Sequence, residues 1–267
     1  MTAPAPSWQD LRARFGDGAT VAFVIPVYNH ARNVRQVVLA AVASGAPVVV
    51  VDDGSTDGSG DAVADIAGAT LVRHEKNLGK GAAILTGLAT IAAVGARFAV
   101  TVDADGQHNP DDARSLLAAI WSEAVPGPRV ALVLGARTGM QGRAVPWSSR
   151  MGRGFSGFWV WTSGGPLLSD SQSGFRVYPV AETLALPTTA RRFEFEVEVL
   201  VRARRASIPI LEVPVPVTYD PPGGRVSHFR PWRDFGRNAA TFTRLIASRF
   251  VPRRERQEPS DEPSDEA

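Results

Sequence analysis

No cysteine occurs anywhere in the chain. Disulfide frameworks and thiolate chemistry are thereby excluded, and the composition suits a reducing compartment. Long hydrophobic runs are missing as well. No apolar stretch approaches the roughly 20 residues of a membrane-spanning helix. The N-terminal MTAPAPSWQDLRARFGDG lacks the apolar core of a secretory signal. A dominant charge is also absent: 29 Lys and Arg face 27 Asp and Glu, a net charge of +2. Whole-protein attraction to nucleic acid is therefore not expected. The last 16 residues, PRRERQEPSDEPSDEA, end in an acidic, proline-rich run with little to bury. Residues 251–267 read as a disordered tail, and the body before them is correspondingly more basic.

The rest has the make-up of a globular protein. With 267 residues, 44% of them hydrophobic, it can bury a sizeable core. Apolar runs predict strands over 19–27, 46–52, 69–75, 96–105 and 129–137. Helical spacing predicts helices over 33–45, 60–68, 79–95 and 109–124, the last opened by Asn109, Pro110 and two aspartates that suit a helix N-terminus. Alternation of this kind points to an α/β protein whose mostly parallel sheet is covered on both faces. Ligands in such sheets bind beyond the carboxyl ends of the strands. Beyond residue 140 the pattern gives way to Gly, Trp and Arg, expected to form an irregular acceptor-side region. The expected division is an extension over 1–18 and one domain over 19–250, whose halves meet at 138/139.

The chemistry gathers at the predicted strand ends. VTVDADGQHNP (100–110) places two carboxylates, an amide and a histidine in six positions after an apolar strand. Asp103 and Asp105, two apart on extended chain, can share a face, and Gln107 continues the spacing. Their oxygens are hard ligands suited to Mg²⁺ or Mn²⁺ and unsuited to zinc. A capped, solvated turn is the other reading these residues allow. In VVVVDDGSTDGS (48–59), Asp53 follows a buried strand and could accept hydrogen bonds from a base or ribose, or belong to an Asx-rich turn. Tyr28, in VIPVYNH (24–30), could flank a nucleobase. NLGKGAA (77–83) puts Lys80 between glycines at a helix start. It is not a Walker A loop; it offers a backbone anion site or a tight turn.

The ordered series VIPVYNH, VDDGSTDGS, NLGKGAA, DADGQHNP, GAR, SDSQSGFRVY, RRFEFEVEVL and EVPVPVTY resembles the family 2 glycosyltransferases of GT-A fold. Within them it is similar to the dolichyl- and polyprenyl-phosphate sugar synthases, over about residues 20 to 235. The resemblance implies an inverting hexose transfer from a nucleotide sugar, GDP-mannose or UDP-glucose, to a lipid phosphate. It implies nucleotide contacts from Pro26, Tyr28, Asp53 and Lys80, and donor-phosphate contacts from Asp103, Arg137 and Arg225. It implies a metal on Asp103, Asp105 and Gln107, and catalytic roles near the acceptor for Asp170 and Arg176. Relatives often have Glu after Tyr-Asn, where this chain has His30. Arg225, Ser227 and His228 stand where relatives often have a Ser-Lys pair. Glu196 and Glu198 alternate along FEFEVE and either serve the site or form a solvated charged face.

Cations for an anionic acceptor are plentiful. Arg143, Arg150 and Arg153 precede the segment 223–238, where Arg225, His228, Arg230, Arg233 and Arg237 interleave with Phe229, Trp232 and Phe235. Basic and aromatic residues together suit a membrane interface. The apolar 155–168 and the basic amphipathic 235–252 are the candidate contacts, with core packing as the other reading. The expected placement is cytoplasmic and peripheral at the inner membrane face. A glycan or another glycolipid would use the same donor machinery. A non-catalytic sugar-nucleotide binder is opposed by the intact Asp103, Asp105, Asp170 and Arg176. A nucleotidyltransferase would need a glycine-rich N-terminal loop that VIPVYNH does not provide, and a nucleic-acid binder would need a stacking platform.

Overall fold

The computed structural model describes residues 5–15, 20–122, 125–137, 160–217, 241 and 243–247. Strands β1 (Val21–Val27), β2 (Val48–Asp52), β3 (Ala69–Arg73), β4 (Phe98–Thr101), β7 (Leu132–Arg137), β8 (Arg176–Pro179) and β9 (Ile210–Val215) make one sheet in the order β3-β2-β1-β4-β8-β7-β9. A short hairpin of β5 (Trp121–Ser122) and β6 (Val125–Pro128) stands apart. All pairings in the main sheet are parallel except those of β8, which runs antiparallel to β4 and β7. The sheet is thus mostly parallel, as expected.

The strands are apolar on both faces because both are covered. Phe23, Ile25 and Val27 of β1 join one core with α1 (Trp8–Phe15), α2 (Val34–Val42) and α4 (Ala113–Ala119). Ala22 and Val24 join the other, with α3 (Lys80–Ala92), α5 (Val180–Ala185) and α6 (Phe195–Arg205). This is the period-two alternation of a strand buried on two sides. Pro26 lies inside β1, opposite Val51. Phe23 donates toward β2 and Val24 accepts from the β4 side, so position 26 faces β4. That pairing stops at Val24–Thr101, so the proline, which has no N–H to give, sits where the β1–β4 ladder ends.

Three expectations change. The predicted 60–68 helix is a run of turns around a 3₁₀ helix at Asp61–Val63. Ala62 makes one bond to the carbonyl four residues back, but Val63, Ala64, Ile66 and Ala69 each donate to the carbonyl three residues back, so no α-helix propagates. The predicted 109–124 helix begins as 3₁₀ at Pro110–Asp112, with Asn109 accepting from the Asp111 N–H, and stops at Ala119. Ile120 is buried and its carbonyl accepts from Arg129, which turns the chain into the hairpin. The predicted 1–18 extension contains a packed helix. Leu11 of α1 is buried, Trp8 meets Phe23 and Phe15 meets Phe98, each with ring centroids 5.9 Å apart. The tail at 251–267 lies outside the described residues.

Helix α3 lies close on β1 because of its small face. A Cβ on Gly87 would stand 2.3 Å from Val24 Cγ1. Gly87→Val is expected to separate helix and strand and to destabilise the fold by about 3 kcal/mol, the upper range for overpacking. Urea unfolding checks this; a midpoint equal to wild type would mean that α3 does not depend on that contact.

Candidate active site

The strand ends that carry the motifs converge. The chain runs β1, β2, β3 outward on one side and then crosses to β4 on the other, so the switch of order lies between β1 and β4. Tyr28, Asp53 and Asp103 follow β1, β2 and β4, and Arg137 ends β7. Because β8 is reversed, its beginning rather than its end lies on this side. Residues 170–175 are thereby delivered beside Asp103 and Arg137.

Side-chain to backbone bonds lock the loops after β1 and β2 together. Asn29, at φ 55°, donates its N–H to Ser55 Oγ (3.0 Å) and accepts from the Thr56 N–H at Oδ1 (2.8 Å). His30 N–H donates to Ser59 Oγ (2.8 Å), and Ala31 N–H to Asp57 Oδ2 (2.9 Å). Half-buried Tyr28 is therefore presented by a braced loop. The backbone of His30 is bound into that brace.

Asp53 is 2% exposed and its carboxylate is already engaged. Oδ1 accepts from Leu78 N–H at 2.9 Å and lies 2.7 Å from His74 Nδ1, while Oδ2 accepts from Gly79 N–H at 2.7 Å. His74 Nε2 lies 3.0 Å from Thr86 Oγ1. The anion at the start of α3 is thus the protein's own carboxylate. NLGK is the tight turn of the two readings, with Gly79 at φ 107°. Asp53 organises this turn, its carboxylate shared among the Leu78 and Gly79 N–H groups and His74.

The turn aims Lys80 into a charged cluster. Its Nζ lies 2.7 Å from Asp103 Oδ1 and 2.9 Å from Glu196 Oε1. Burial works to lower the lysine's pKa, but Asp103 and Glu196 outweigh it and raise it, so the ammonium stays charged. Burial likewise works to raise Asp103, and Lys80 overrides it and holds the carboxyl below its ordinary range. The loop before β8 closes over the pair at Gly174, where a Cβ would stand 2.4 Å from Asp103 Oδ2 and 2.6 Å from Lys80 Nζ. Half-buried Asp105 turns Oδ1 back to the Gln107 N–H at 3.0 Å. His108 is 5% exposed and stacks on Phe175 at 5.0 Å, and its buried Nδ1 has no hydrogen-bond partner among the described residues. Burial depresses its pKa despite nearby Asp103, which favours the neutral ring.

Arg137 completes the cluster. Its Nε and Nη2 donate to Asp170 Oδ2 and Oδ1 at 2.6 and 2.8 Å, a bidentate fork. Asp170 is 2% exposed. Its own turn is held by Glu212 of β9, whose carboxylate accepts from the Ser169 and Asp170 N–H groups at 2.9 and 3.1 Å. Arg176 is fully buried. It donates to the carbonyls of Ser173, Ser171 and Glu196 at 2.6, 2.9 and 2.7 Å. A guanidinium with no exposed surface positions the 171–176 loop against α6.

The alternating glutamates separate. On α6, Glu196 is 6% exposed and faces Lys80. Glu198 is fully buried; it accepts from the Thr189 and Ala190 N–H groups at 2.9 and 2.8 Å and pairs with Arg202 at 3.2 Å. Neither forms a solvated face. Sequence reasoning gave no role to His74, Gly174 or Glu212. Gly174 stands inside the SGFR motif, and Glu212 opens EVPV, so their positions were visible although their contacts were not. Arg143, Arg150, Arg153, Arg225, His228 and the rest of 223–238 lie outside the described residues, as does most of 235–252. Among the described residues, no group of three His, Asp or Glu side chains is placed to hold a metal ion by itself.

Asp53→Asn tests the reassignment of that residue. An amide cannot replace a carboxylate that serves three neighbours, so stability should fall by roughly 2 kcal/mol without any ligand present. A thermal or urea melt of the ligand-free protein checks it, and unchanged stability would return Asp53 to the ligand side.

Comparison with known proteins agrees with this geometry. The family model described as glycosyl transferase family 2 matches residues 22–181. A UDP-N-acetylglucosamine–dolichyl-phosphate N-acetylglucosaminyltransferase of Methanococcus voltae is 28% identical over 221 residues, 74% of this chain and 86% of that protein. An undecaprenyl-phosphate mannosyltransferase of Micrococcus luteus is 31% identical over 208 residues, 73% and 82% of the two chains. Among solved structures, glucosyl-3-phosphoglycerate synthase of Mycobacterium tuberculosis, in complex with Mn²⁺, UDP and phosphoglyceric acid, shares the fold. Its TM-score is 0.66 at 22% identity, with 94% of this chain and 85% of that one covered. With its DADGQH strand end, its reversed β8 and a family match over more than half its length, the chain belongs to glycosyl transferase family 2 and is a glycosyltransferase.

Proposed function

We propose that the enzyme moves a hexose from a nucleoside diphosphate sugar to the phosphate of a polyprenyl lipid, with inversion and with Mg²⁺ or Mn²⁺ on Asp103, Asp105 and Gln107. One observation carries the reading: Lys80, Asp103, Glu196, Arg137 and Asp170 meet as a partly buried, mixed-charge cluster at the carboxyl ends of the strands. The names of the dolichyl- and undecaprenyl-phosphate relatives support the acceptor class.

The cluster fits a divalent ion. Three carboxylates (Asp103, Asp170, Glu196) stand with two cations (Lys80, Arg137) among the described residues, so 2 − 3 leaves a charge of −1, and Asp105 follows two residues after Asp103. The donors are hard oxygens, and Asp103 is held ionised. When bound, the ion would act as a Lewis acid on the leaving diphosphate. The protein's own part is positioning. Tyr28, half-buried just after β1, would flank the base with its ring. Asp170 fixes Arg137 in a fork, so a guanidinium would meet the phosphates with little reorganisation. An oxygen of the acceptor phosphate attacks the anomeric carbon, and the bond to the donor diphosphate breaks with its electron pair. The nucleophile is already anionic, so no proton has to move, and Asp170, committed to Arg137, acts as an orienting carboxylate rather than a base.

Membrane contact is part of the proposal. Among the described residues no helix is long and apolar enough to cross a membrane. Trp161 and Leu167, at 56% and 80% exposure, present apolar surface within 155–168, which suits peripheral contact at the inner face.

Transfer of labelled sugar from GDP-mannose, UDP-glucose or UDP-N-acetylglucosamine to undecaprenyl phosphate tests the reading. One donor should be used, activity should disappear with chelator, and Asp105→Ala should abolish it in a folded protein; an active, metal-dependent Asp105→Ala enzyme would sink the ligand assignment. Asp170→Asn is expected to lower kcat on the order of a hundredfold, as loss of a preorganised donor does, with little change in donor KM. A change confined to KM would place Arg137 in donor binding alone.

A further inference from the structure

Lys80 holds a carboxylate that the proposed function assigns to the divalent ion. The ammonium has two partners, Asp103 Oδ1 at 2.7 Å and Glu196 Oε1 at 2.9 Å, and only Asp103 belongs to the proposed ligand set. None of the three is loosely placed. The residue before Lys80 is tied to Asp53 through the Gly79 N–H at 2.7 Å. Gly174 leaves the pair its space, since any Cβ there would stand within 2.7 Å of both Asp103 oxygens and the lysine Nζ. Glu196 is 6% exposed, and its carbonyl is gripped by the buried Arg176 at 2.7 Å.

We infer that Lys80 is an internal counter-cation that occupies Asp103 in the donor-free enzyme, and that Glu196 retains the ammonium when a divalent ion takes Asp103. This rests on the metal reading proposed above. An ammonium and a divalent ion on one carboxylate repel each other. A lysine with Asp103 alone would have to leave the site or leave a buried charge unpaired, and both are costly. Glu196 removes that conflict, because the ammonium can settle on it without crossing into solvent. A free divalent ion therefore meets a competitor and binds weakly. A nucleoside diphosphate supplies the negative charge that accommodates both cations. Metal and diphosphate then raise each other's affinity, as linkage requires. Lys80 and Glu196 act here as positioning residues, setting when Asp103 is released to the ion.

The test is the affinity of the full chain for Mn²⁺ alone, read from the electron paramagnetic resonance of free Mn²⁺ and repeated with GDP and with UDP. Lys80→Met should bind Mn²⁺ more tightly than wild type without nucleotide, by roughly tenfold, since a close like charge is removed. Its gain on adding nucleotide should be smaller. Glu196→Gln should bind Mn²⁺ several-fold more weakly, because the ammonium then rests on Asp103 alone. Equal or weaker binding by folded Lys80→Met overturns the inference, and so does equal or tighter binding by Glu196→Gln, which carries the test alone if the lysine variant does not fold. Asp103→Asn separates the two layers. If it leaves Mn²⁺ binding untouched, the metal reading falls and this inference with it. If it weakens binding while Lys80→Met does not tighten it, only the counter-cation role is lost.

Discussion

A charged amine cannot be taken out of water without a partner, and the organisation of this site follows from that constraint at Lys80. Two carboxylates from distant parts of the chain, Asp103 after β4 and Glu196 at the start of α6, supply the compensation. Each needs its own support. Asp53 fixes the turn that aims the lysine, Gly174 leaves room for the pair, and Arg176 holds α6 by the carbonyl of Glu196. Loss of any one of these would leave a buried charge partly unpaired, a costly state in a low-dielectric interior.

The reversed strand β8 is the topological counterpart of that electrostatic constraint. A sheet of parallel strands offers only carboxyl ends to a ligand. Inserting one antiparallel strand between β4 and β7 brings an N-terminal approach, the SDSQSG segment, to the same edge. The Asp170 carboxylate can then fork onto Arg137 while Gly174 packs over Asp103. The brace from Glu212 on β9 reaches the same turn from the far side of the sheet. The carboxylates of Asp53 and Asp170 both hold neighbouring groups in place, the turn at Gly79 and the guanidinium of Arg137. That division suits a reaction whose nucleophile arrives as an anion.

Much of the architecture was legible beforehand. Continuous apolar strands such as VAFVIPV and VVVVD fit only a sheet buried on two faces, and both sit in the middle of one. The misread segments were short ones. At 60–68 and 120–124 the apolar spacing was compatible with a helix, but runs of three-residue turns and the Ile120–Arg129 bond decided otherwise. In the site, DADGQH was found from residue type and strand-end position, and Arg137 and Asp170 from the family resemblance. The inward turn of Arg176 and the split between Glu196 and Glu198 were not, because exposure depends on neighbours far away in sequence.

Sequence by itself determined the α/β class, the ends of the strands where chemistry would gather, and the acidic, amide and basic groups available there. These are local properties: hydrophobic period, turn chemistry and hard oxygen donors are properties of a few consecutive residues. Only the tertiary structure decided which charge faces which. Pairings such as Lys80 with Glu196 and Arg137 with Asp170 join residues dozens of positions apart, and they exist because strand order and the reversal of β8 bring those positions within a few ångströms, where a buried charge must find its opposite.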